Sequence, residues 1–279
     1  MAELAALEAA PETIEAELSY LATGDGDTLV TLVAPPGGRD QRIGGGDGET
    51  HRVVLHNGRP LADRFDFERE GFRFVPHRSR VTDFFDDDEV RRVYYPECVA
   101  LIKQVSGAGR VVVFDHTLRT ASDEAREARQ IRDIVSRVHN DYTEWSGPQR
   151  VRDIMGEEAA ALLQRRFAII QVWRPINHPV ESHPLAICDA QTVKPEALVV
   201  NERRYQNRTG QTYAITYDPA QRWYWFPRMR PDEALVFKVY ESLRDGRARW
   251  TAHTAFADPT APPHARPRES IEIRTLAFF

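Results

Sequence analysis

The stretch Phe-Ala-Ile-Ile-Gln-Val-Trp at positions 167–173 is the first of a series of β-type runs that decides the fold. Six more runs follow it, at 185–188, 212–217, 222–226, 234–240, 248–256 and 270–278. Turn signals separate these short runs and little helix lies between them, a pattern typical of an antiparallel sandwich or barrel. We therefore predict a mainly β protein with flanking helices. Its core, over residues 108–279, is expected to be a double-stranded β-helix, the cupin-like jelly roll.

Residues 1–107 are expected to form a mixed α+β region that packs on this core. Within it, the sequence predicts a helix over 4–21, strands at 28–35, 52–55 and 72–75, and a glycine-rich loop over 37–48. A second helix is predicted over 83–105, because this segment starts with acidic residues and Gly107 follows its end. Further along, 123–137 is a charged segment compatible with a helix, and 148–164 is predicted as a surface helix.

Composition and charge exclude several classes of function. The chain has 279 residues, of which 42% are hydrophobic, so it can bury a sizeable core. Its formal net charge of −5 provides no broad field for nucleic acid or an anionic membrane. Cys98 and Cys188 are its only cysteines, too few for a disulfide framework or a thiolate metal site. The N-terminus lacks an apolar core and no run reaches the roughly 18 apolar residues of a membrane span. These features favour a cytoplasmic protein.

The triplet His139-Asn140-Asp141 is the main candidate for chemistry. Two residues separated by one position lie on the same side of a strand, so an imidazole and a carboxylate would face the same way. His253 lies far downstream in an alternating strand-like segment. Two histidines and one carboxylate on one face of a metal leave three adjacent positions open, which is the arrangement of non-haem Fe(II) oxygenases. The alternative for His139 and Asp141 is an ordinary hydrogen-bonded pair at a strand end.

Other histidines compete with His253 for the role of second imidazole ligand. His178 and His183 flank a proline-rich turn, and His264 lies in a segment unsuited to a strand. His116 ends the strand-like run that starts at 110, where it could line the cavity and contact the substrate. His253 is therefore the predicted ligand.

Several blocks within residues 90–279 are similar, in the same order, to bacterial and fungal oxygenases and desaturases of secondary metabolism. This family includes the cephalosporin 7α-hydroxylase/methoxylase component and fungal meroterpenoid oxygenases. The blocks are 138–141, 171–176, 226–234, 237–242, 253–259 and 267–274. Residues 1–80 carry little of the resemblance.

The resemblance implies an Fe(II)/2-oxoglutarate-dependent dioxygenase that uses O2 and a ferryl oxidant and releases succinate and CO2. It would hydroxylate or desaturate a small natural product. The far carboxylate of 2-oxoglutarate needs a cation, and an arginine fork pairs with a carboxylate through two hydrogen bonds. Arg268 is the first candidate, with Ser270 on the same strand face donating a hydroxyl. Arg274 and Lys238 are the alternatives.

Tyr142 and Trp145 are predicted to form a wall of the substrate pocket, because they directly follow the metal triplet. Arg174 and His116 are further candidates for substrate contact, with a pairing role inside the sheet as the alternative for Arg174.

Three other functions stay open at this stage. The first is a metal-dependent cupin-type isomerase or hydrolase that does not use 2-oxoglutarate. The second is a binding module whose His139–Asp141 pair is structural, and the third is an oxygenase component that acts with a partner protein. A homodimer formed through the N-terminal region is also plausible.

Overall fold

The computed structural model describes residues 10–22, 29–35, 38–44 and 47–279. The first eight strands are β1 (Thr13–Leu21), β2 (Leu29–Leu32), β3 (Gln41–Gly44), β4 (Gly48–Asn57), β5 (Phe72–Pro76), β6 (Arg110–Thr120), β7 (Arg132–Asp133) and β8 (His139–Asn140). The other eight are β9 (Phe167–Pro175), β10 (Leu185–Cys188), β11 (Leu198–Arg204), β12 (Thr209–Ile215), β13 (Trp223–Trp225), β14 (Glu233–Glu241), β15 (His253–Ala255) and β16 (Glu269–Phe278).

These strands form two sheets, which confirms the predicted double-stranded β-helix. The larger sheet has ten strands in the order β1-β4-β13-β10-β15-β8-β12-β11-β2-β3. The smaller has six, in the order β5-β14-β9-β16-β6-β7. The quoted run at 167–173 lies in β9, all nine residues of which are buried. Strand β9 is buried on both faces because it lies between β14 and β16, with the core on one side and a helix on the other.

Alternation along the central strands decides which side chains face the interior. In β9, Ile169 and Trp173 join the main core cluster, whereas Ile170 and Val172 join the cluster on the outer face. In β16, Ile271 and Ile273 also lie in the outer cluster. Side chains on the same side as Ile169 and Trp173 therefore face the other sheet, and those on the same side as Ile170 and Val172 face the outer cluster. The predicted site residues fall into these two groups.

The helices cover the outer face of the six-stranded sheet and one end of the molecule. Helix α1 (Asp87–Glu89) continues through a π-helical turn (Val90–Tyr94) into α2 (Tyr95–Ser106), which packs on β6, β9 and β16. The remaining helices are α3 (Asp123–Arg129), α4 (Ser146–Met155) and α5 (Ala159–Leu162), with short 3₁₀ segments at Arg59–Arg64, Gly156–Glu158, Ala190–Thr192 and Pro195–Ala197. No helix in the described part of the chain is long and apolar enough to cross a membrane.

The helix predicted over 4–21 is wrong where the structure describes it. Residues Thr13–Leu21 form strand β1, paired antiparallel with β4 along its whole length. Ile14, Ala16 and Leu18 are buried and the glutamates between them are exposed, which is the two-residue period of a strand. Pairing with β4 and burial of this face outweigh the helix propensity of the alanines and glutamates. Residues 1–9 lie outside the described part of the chain.

Two further boundaries differ from prediction. The helix expected from residue 83 begins at Asp87, because the Asp86 carboxylate accepts hydrogen bonds from the amides of Asp88 and Glu89 and caps its first turn. Within the glycine-rich segment, Gln41–Gly44 form the edge strand β3 and Gly48 begins β4, so these residues are not loop. The proposed division at residue 107/108 stays a prediction; β1 to β5 pair within the same two sheets as the later strands.

Acid sensitivity should arise partly from His77, which lies next to the buried Arg174. Burial, together with the Arg174 charge, lowers the pKa of His77 to about 4. In the unfolded chain the imidazole takes up a proton near pH 6.5, whereas in the folded chain it does so only near pH 4. The contribution of the neutral imidazole to the free energy of unfolding is therefore complete above pH 6.5 and is lost as the pH falls towards 4. We expect His77→Gln to reduce the loss of unfolding free energy between pH 7 and 5 by about 1 kcal/mol, after allowance for solvent screening. Urea denaturation at the two pH values measures this, with exposed His264→Gln as the control; equal losses in wild type and His77→Gln would contradict it.

Candidate metal centre

Strand pairing in the middle of the ten-stranded sheet brings the two predicted histidines together. His139 in β8 lies directly opposite His253 in β15, and the pairing between these two described strands consists of this one residue pair. Their ring centroids are 4.4 Å apart. One ligand atom from each of His139, Asp141 and His253 lies within 4.8 Å of the others. The three side chains can therefore reach a single ion.

The peptide backbone fixes the orientation of both imidazoles in the same way. His139 Nδ1 lies 2.8 Å from the carbonyl oxygen of Arg137, and His253 Nδ1 lies 2.9 Å from that of Thr251. A carbonyl oxygen can only accept, so each ring carries its proton on Nδ1 and presents the Nε2 lone pair. Metal-binding histidines are usually oriented by such a hydrogen bond on the ring nitrogen remote from the metal.

Asp141 offers one oxygen to the centre while its other oxygen is held in place. Asp141 Oδ1 lies 3.4 Å from His139 Nε2. Asp141 Oδ2 accepts hydrogen bonds from Gln171 Nε2 at 2.5 Å and from Arg274 Nε at 3.4 Å. Burial acts to raise the pKa of Asp141, but the His139 hydrogen bond and the Arg274 charge lower it well below its usual value. The carboxylate is therefore ionised and available as a ligand.

His253 is the deepest member of the group. Its side chain is buried, and its ring packs edge-on against Phe237 with centroids 4.9 Å apart. Burial lowers the pKa of His253 to about 3. The imidazole is therefore neutral at physiological pH, which is the form that binds a metal.

Arg274 faces the interior, but its guanidinium already forms ion pairs with acidic side chains. Besides Asp141, its guanidinium bonds Asp115 Oδ2 at 3.0 Å, Thr117 Oγ1 at 2.8 Å and the carboxylate of Glu272. These bonds use the donors that a further carboxylate would need. The structure thus places Arg274 as the residue that orients Asp141.

Arg268 and Ser270 lie on the same inward face and lack such partners. Arg268 is 2% exposed, and no carboxylate oxygen in the described part of the chain lies within 4 Å of it. Its Nη1 donates to the carbonyl of His183 at 2.8 Å, while its Nε and the Ser270 hydroxyl are buried without a partner. Burial, together with the charge of nearby Arg119, lowers the pKa of Arg268 to about 9. The unused Nε donor of Arg268 and the unpaired hydroxyl of Ser270, two residues apart on the same face, are suited to bind a carboxylate.

Three other predicted residues lie on the outer face of the six-stranded sheet, away from this centre. Lys238 is fully buried there and its Nζ donates to Glu68 at 2.7 Å. Arg174 packs over the rings of Phe84 and Tyr94, each 5.5 Å from its guanidinium carbon.

His116, the third of these residues, bonds the helix that covers the outer face. Its Nδ1 lies 2.8 Å from the Tyr95 hydroxyl, and its Nε2 lies 3.3 Å from Asp87 Oδ1. The structure does not bring Lys238, Arg174 or His116 together with the triad.

A cavity of about 500 Å³ opens onto His139, Asp141 and Arg274. Tyr142 and Trp145 line it, as their position after the triplet suggested, although Trp145 is 48% exposed and lies at the rim. His253, Arg268 and Ser270 are not among its lining residues and lie deeper. The volume is that of a pocket for a small organic molecule.

Two residues that position the site were not predicted individually. Gln171 lies within the quoted β9 run and holds Asp141, and Arg150 on α4 lines the cavity. A polar side chain inside an otherwise apolar strand was the available signal for Gln171, because burying an unpaired amide is unfavourable. No local signal distinguished Arg150 from the other arginines of this chain.

Comparison with known proteins connects this geometry to a family. The model of a family described as "Oxidoreductase/YMDC permease-like domain" matches residues 18–278. The Fe(II)/2-oxoglutarate-dependent dioxygenase nvfI of Aspergillus novofumigatus is 35% identical over 235 residues, which are 82% of this chain and 83% of the relative. The alpha-ketoglutarate-dependent dioxygenase phiK of a fungal species is 32% identical over 98% of this chain and 99% of its own length.

Solved structures agree with the sequence relatives. The structure of NvfI, described as an iron and alpha-ketoglutarate-dependent endoperoxidase, matches with a TM-score of 0.83 at 30% identity. The match covers 96% of this chain and 98% of the NvfI chain. These identities and coverages confirm the resemblance drawn from the sequence. This chain therefore belongs to the family of Fe(II)/2-oxoglutarate-dependent dioxygenases and hydroxylase/desaturases represented by these relatives.

Proposed function

We propose that this oxygenase binds Fe(II) through His139, Asp141 and His253 and hydroxylates or desaturates a small natural product. One observation carries the proposal: the three ligand atoms lie within 4.8 Å of one another in a centre whose supporting hydrogen bonds are already made. Two imidazoles and one carboxylate suit Fe(II) and leave three positions open on the ion. The residues present therefore fit this metal.

When bound, Fe(II) with 2-oxoglutarate and O2 supplies an oxidant strong enough to remove hydrogen from an unactivated C–H bond, with succinate and CO2 as coproducts. The residues of this chain orient the metal ligands and form the cavity for the substrate. Gln171 and Arg274 hold Asp141 so that only Oδ1 faces the centre. The two backbone carbonyls hold the imidazoles, and the cavity lined by Tyr142 holds the substrate beside the centre.

We assign the far carboxylate of 2-oxoglutarate to Arg268 and Ser270. The assignment is supported by the Arg268 Nε and the Ser270 hydroxyl, which are buried without a hydrogen-bond partner in the described part of the chain, and by the position of both residues on the same inward side as Arg274. Arg274 is a poorer candidate because acidic side chains already surround it, and Lys238 is a poorer one because it faces the other way and binds Glu68.

The substrate is proposed to be a small molecule of secondary metabolism. Relatives are named dioxygenase, hydroxylase/desaturase and endoperoxidase, so one type of centre supports more than one outcome. Hydroxylation or desaturation is proposed here; a cytoplasmic location and a homodimer formed through the N-terminal region stay predictions.

An anaerobic titration tests the function. We expect protein loaded with Fe(II) to develop a weak visible charge-transfer band when 2-oxoglutarate is added, and to convert 2-oxoglutarate slowly to succinate when O2 is admitted. Well-folded, iron-loaded protein without a band and without succinate would exclude the 2-oxoglutarate mechanism. It would favour instead the cupin-type isomerase or hydrolase considered from the sequence.

A further inference from the structure

The charge of the cavity is opposite in sign to that of the protein. Acidic residues outnumber lysine and arginine in the whole chain, 42 to 37. Among the residues that the structure describes, the cavity lining instead contains nine arginines and five aspartates, with no lysine or glutamate, a formal excess of four positive charges. A cavity lined by one sign of charge attracts ligands of the opposite sign. Neither Arg268 nor Ser270 is among the lining residues, so 2-oxoglutarate bound there leaves this excess in place.

Most of the lining arginines have an acidic partner, and the exceptions show where an anion would bind. Arg203 pairs with Asp40, and Arg274 pairs with Asp115 and Asp141. Arg137 and Arg208, by contrast, have no carboxylate oxygen within 4 Å in the described part of the chain. Three others have only a distant carboxylate oxygen: Arg119 lies 3.8 Å from Glu272, Arg150 lies 3.9 Å from Asp153 and Arg132 lies 4.0 Å from Asp40.

Arg150 is the best placed of these cations. It lies on the second turn of α4, and its side chain is only 17% exposed. Its Nε is buried without a hydrogen-bond partner, and its guanidinium carbon lies 5.4 Å from the centre of the Phe114 ring. Tyr142, which directly follows the proposed ligand Asp141, lies beside it. A partly buried guanidinium with an unused donor, next to an aromatic face and in the cavity that also opens onto His139 and Asp141, is suited to bind an oxyanion.

We propose that the substrate of this oxygenase is an organic acid and that Arg150 binds its anionic group. The inference rests on the proposed function, which supplies the reaction, and adds the substrate class. The charged group bound at Arg150 fixes one end of the substrate, and Tyr142, which lines the same cavity, contacts the apolar part beside it. The reacting carbon is then held towards His139 and Asp141, which open into the same cavity.

A pair of probes that differ only in charge tests this without knowledge of the natural substrate. Anilinonaphthalene sulfonate and neutral anilinonaphthalene share one ring system, and both fluoresce when bound. Protein loaded with Mn(II) and saturating 2-oxoglutarate is titrated with each, so that the probes cannot occupy the cosubstrate site. We expect the sulfonate to bind about tenfold or more tightly than the neutral probe. Arg150→Gln should abolish this difference, whereas Arg150→Lys should retain part of it.

Arg152→Gln is the matched control, because Arg152 lies on the same helix but is exposed and does not line the cavity. It should bind both probes as wild type does. An equal affinity of wild type for the two probes, or a preference that survives in folded Arg150→Gln, would overturn the proposal. So would a loss of 2-oxoglutarate binding, instead of probe binding, in Arg150→Gln. Iron and 2-oxoglutarate binding are measured on the same samples, so failure of the oxygenase assignment is seen separately from failure of the acid preference.

Discussion

Replacing His253 by alanine should reduce Fe(II) affinity by at least about 100-fold, because loss of a residue that only orients a ligand already costs 10–100-fold. His253→Ala removes one of three ligands and leaves a buried space next to Phe237 that no remaining side chain fills. Asp141→Asn should have a comparable effect, since it keeps the shape of the side chain but removes the charge that pairs with the metal. Both variants should lose succinate formation with the iron.

Iron stoichiometry after anaerobic reconstitution and gel filtration measures this effect. His116→Ala is the matched control, because His116 also lies in a strand and is partly buried but bonds Tyr95 and Asp87 on the outer face. We expect it to retain a full equivalent of iron. Stoichiometric iron in folded His253→Ala, judged by circular dichroism and thermal unfolding, would remove this histidine from the centre.

Replacing Arg268 by glutamine should have the second large effect. It should weaken the binding of 2-oxoglutarate without destabilising the unliganded protein. Without 2-oxoglutarate, Arg268 is a buried cation with no acidic partner, an unfavourable arrangement. Arg268→Gln should therefore leave the unliganded protein as stable as wild type or more so. It should also weaken 2-oxoglutarate binding by about 30-fold or more, since breaking a buried charge pair costs about 2–5 kcal/mol.

Thermal unfolding with and without 2-oxoglutarate, together with the apparent Kd for 2-oxoglutarate, distinguishes the two effects. Wild type should gain stability from the cosubstrate and Arg268→Gln should not. Arg174→Gln is the control, because Arg174 is equally buried at 2% exposure but faces the outer cluster. If 2-oxoglutarate stabilises metal-loaded Arg268→Gln as much as wild type, the carboxylate does not bind at Arg268 and our assignment is wrong.

The sequence predicted the metal centre better than the residues around it. His139 and Asp141 could be paired from their spacing alone, because alternation in a strand is a local rule. The pairing of β8 with β15 could not be derived in this way, since it depends on long-range register across 114 residues of chain. His253 was selected from the other histidines because it lies in an alternating strand-like segment, and the resemblance to known oxygenases agreed with that choice.

The differences between prediction and structure elsewhere have two physical sources. Strand β1 was predicted as a helix because alanine, glutamate and leucine favour helix, whereas its alternating burial is set by β4. Arg174, Lys238 and His116 were considered individually, without reference to a common inward face. Counting alternate positions from Val172 places Arg174 on the outer side, and counting from Val236 does the same for Lys238.

The pairing of His139 with His253 also bears on the stability of the ten-stranded sheet. Strands β8 and β15 contain only two and three residues, yet they connect β1-β4-β13-β10 to β12-β11-β2-β3. The register between them consists of one residue pair, His139 with His253. A metal ion bound by both histidines is thus a cross-link over the narrowest junction of the ten-stranded sheet. Iron bound there would then stabilise this junction of the sheet as well as take part in the reaction.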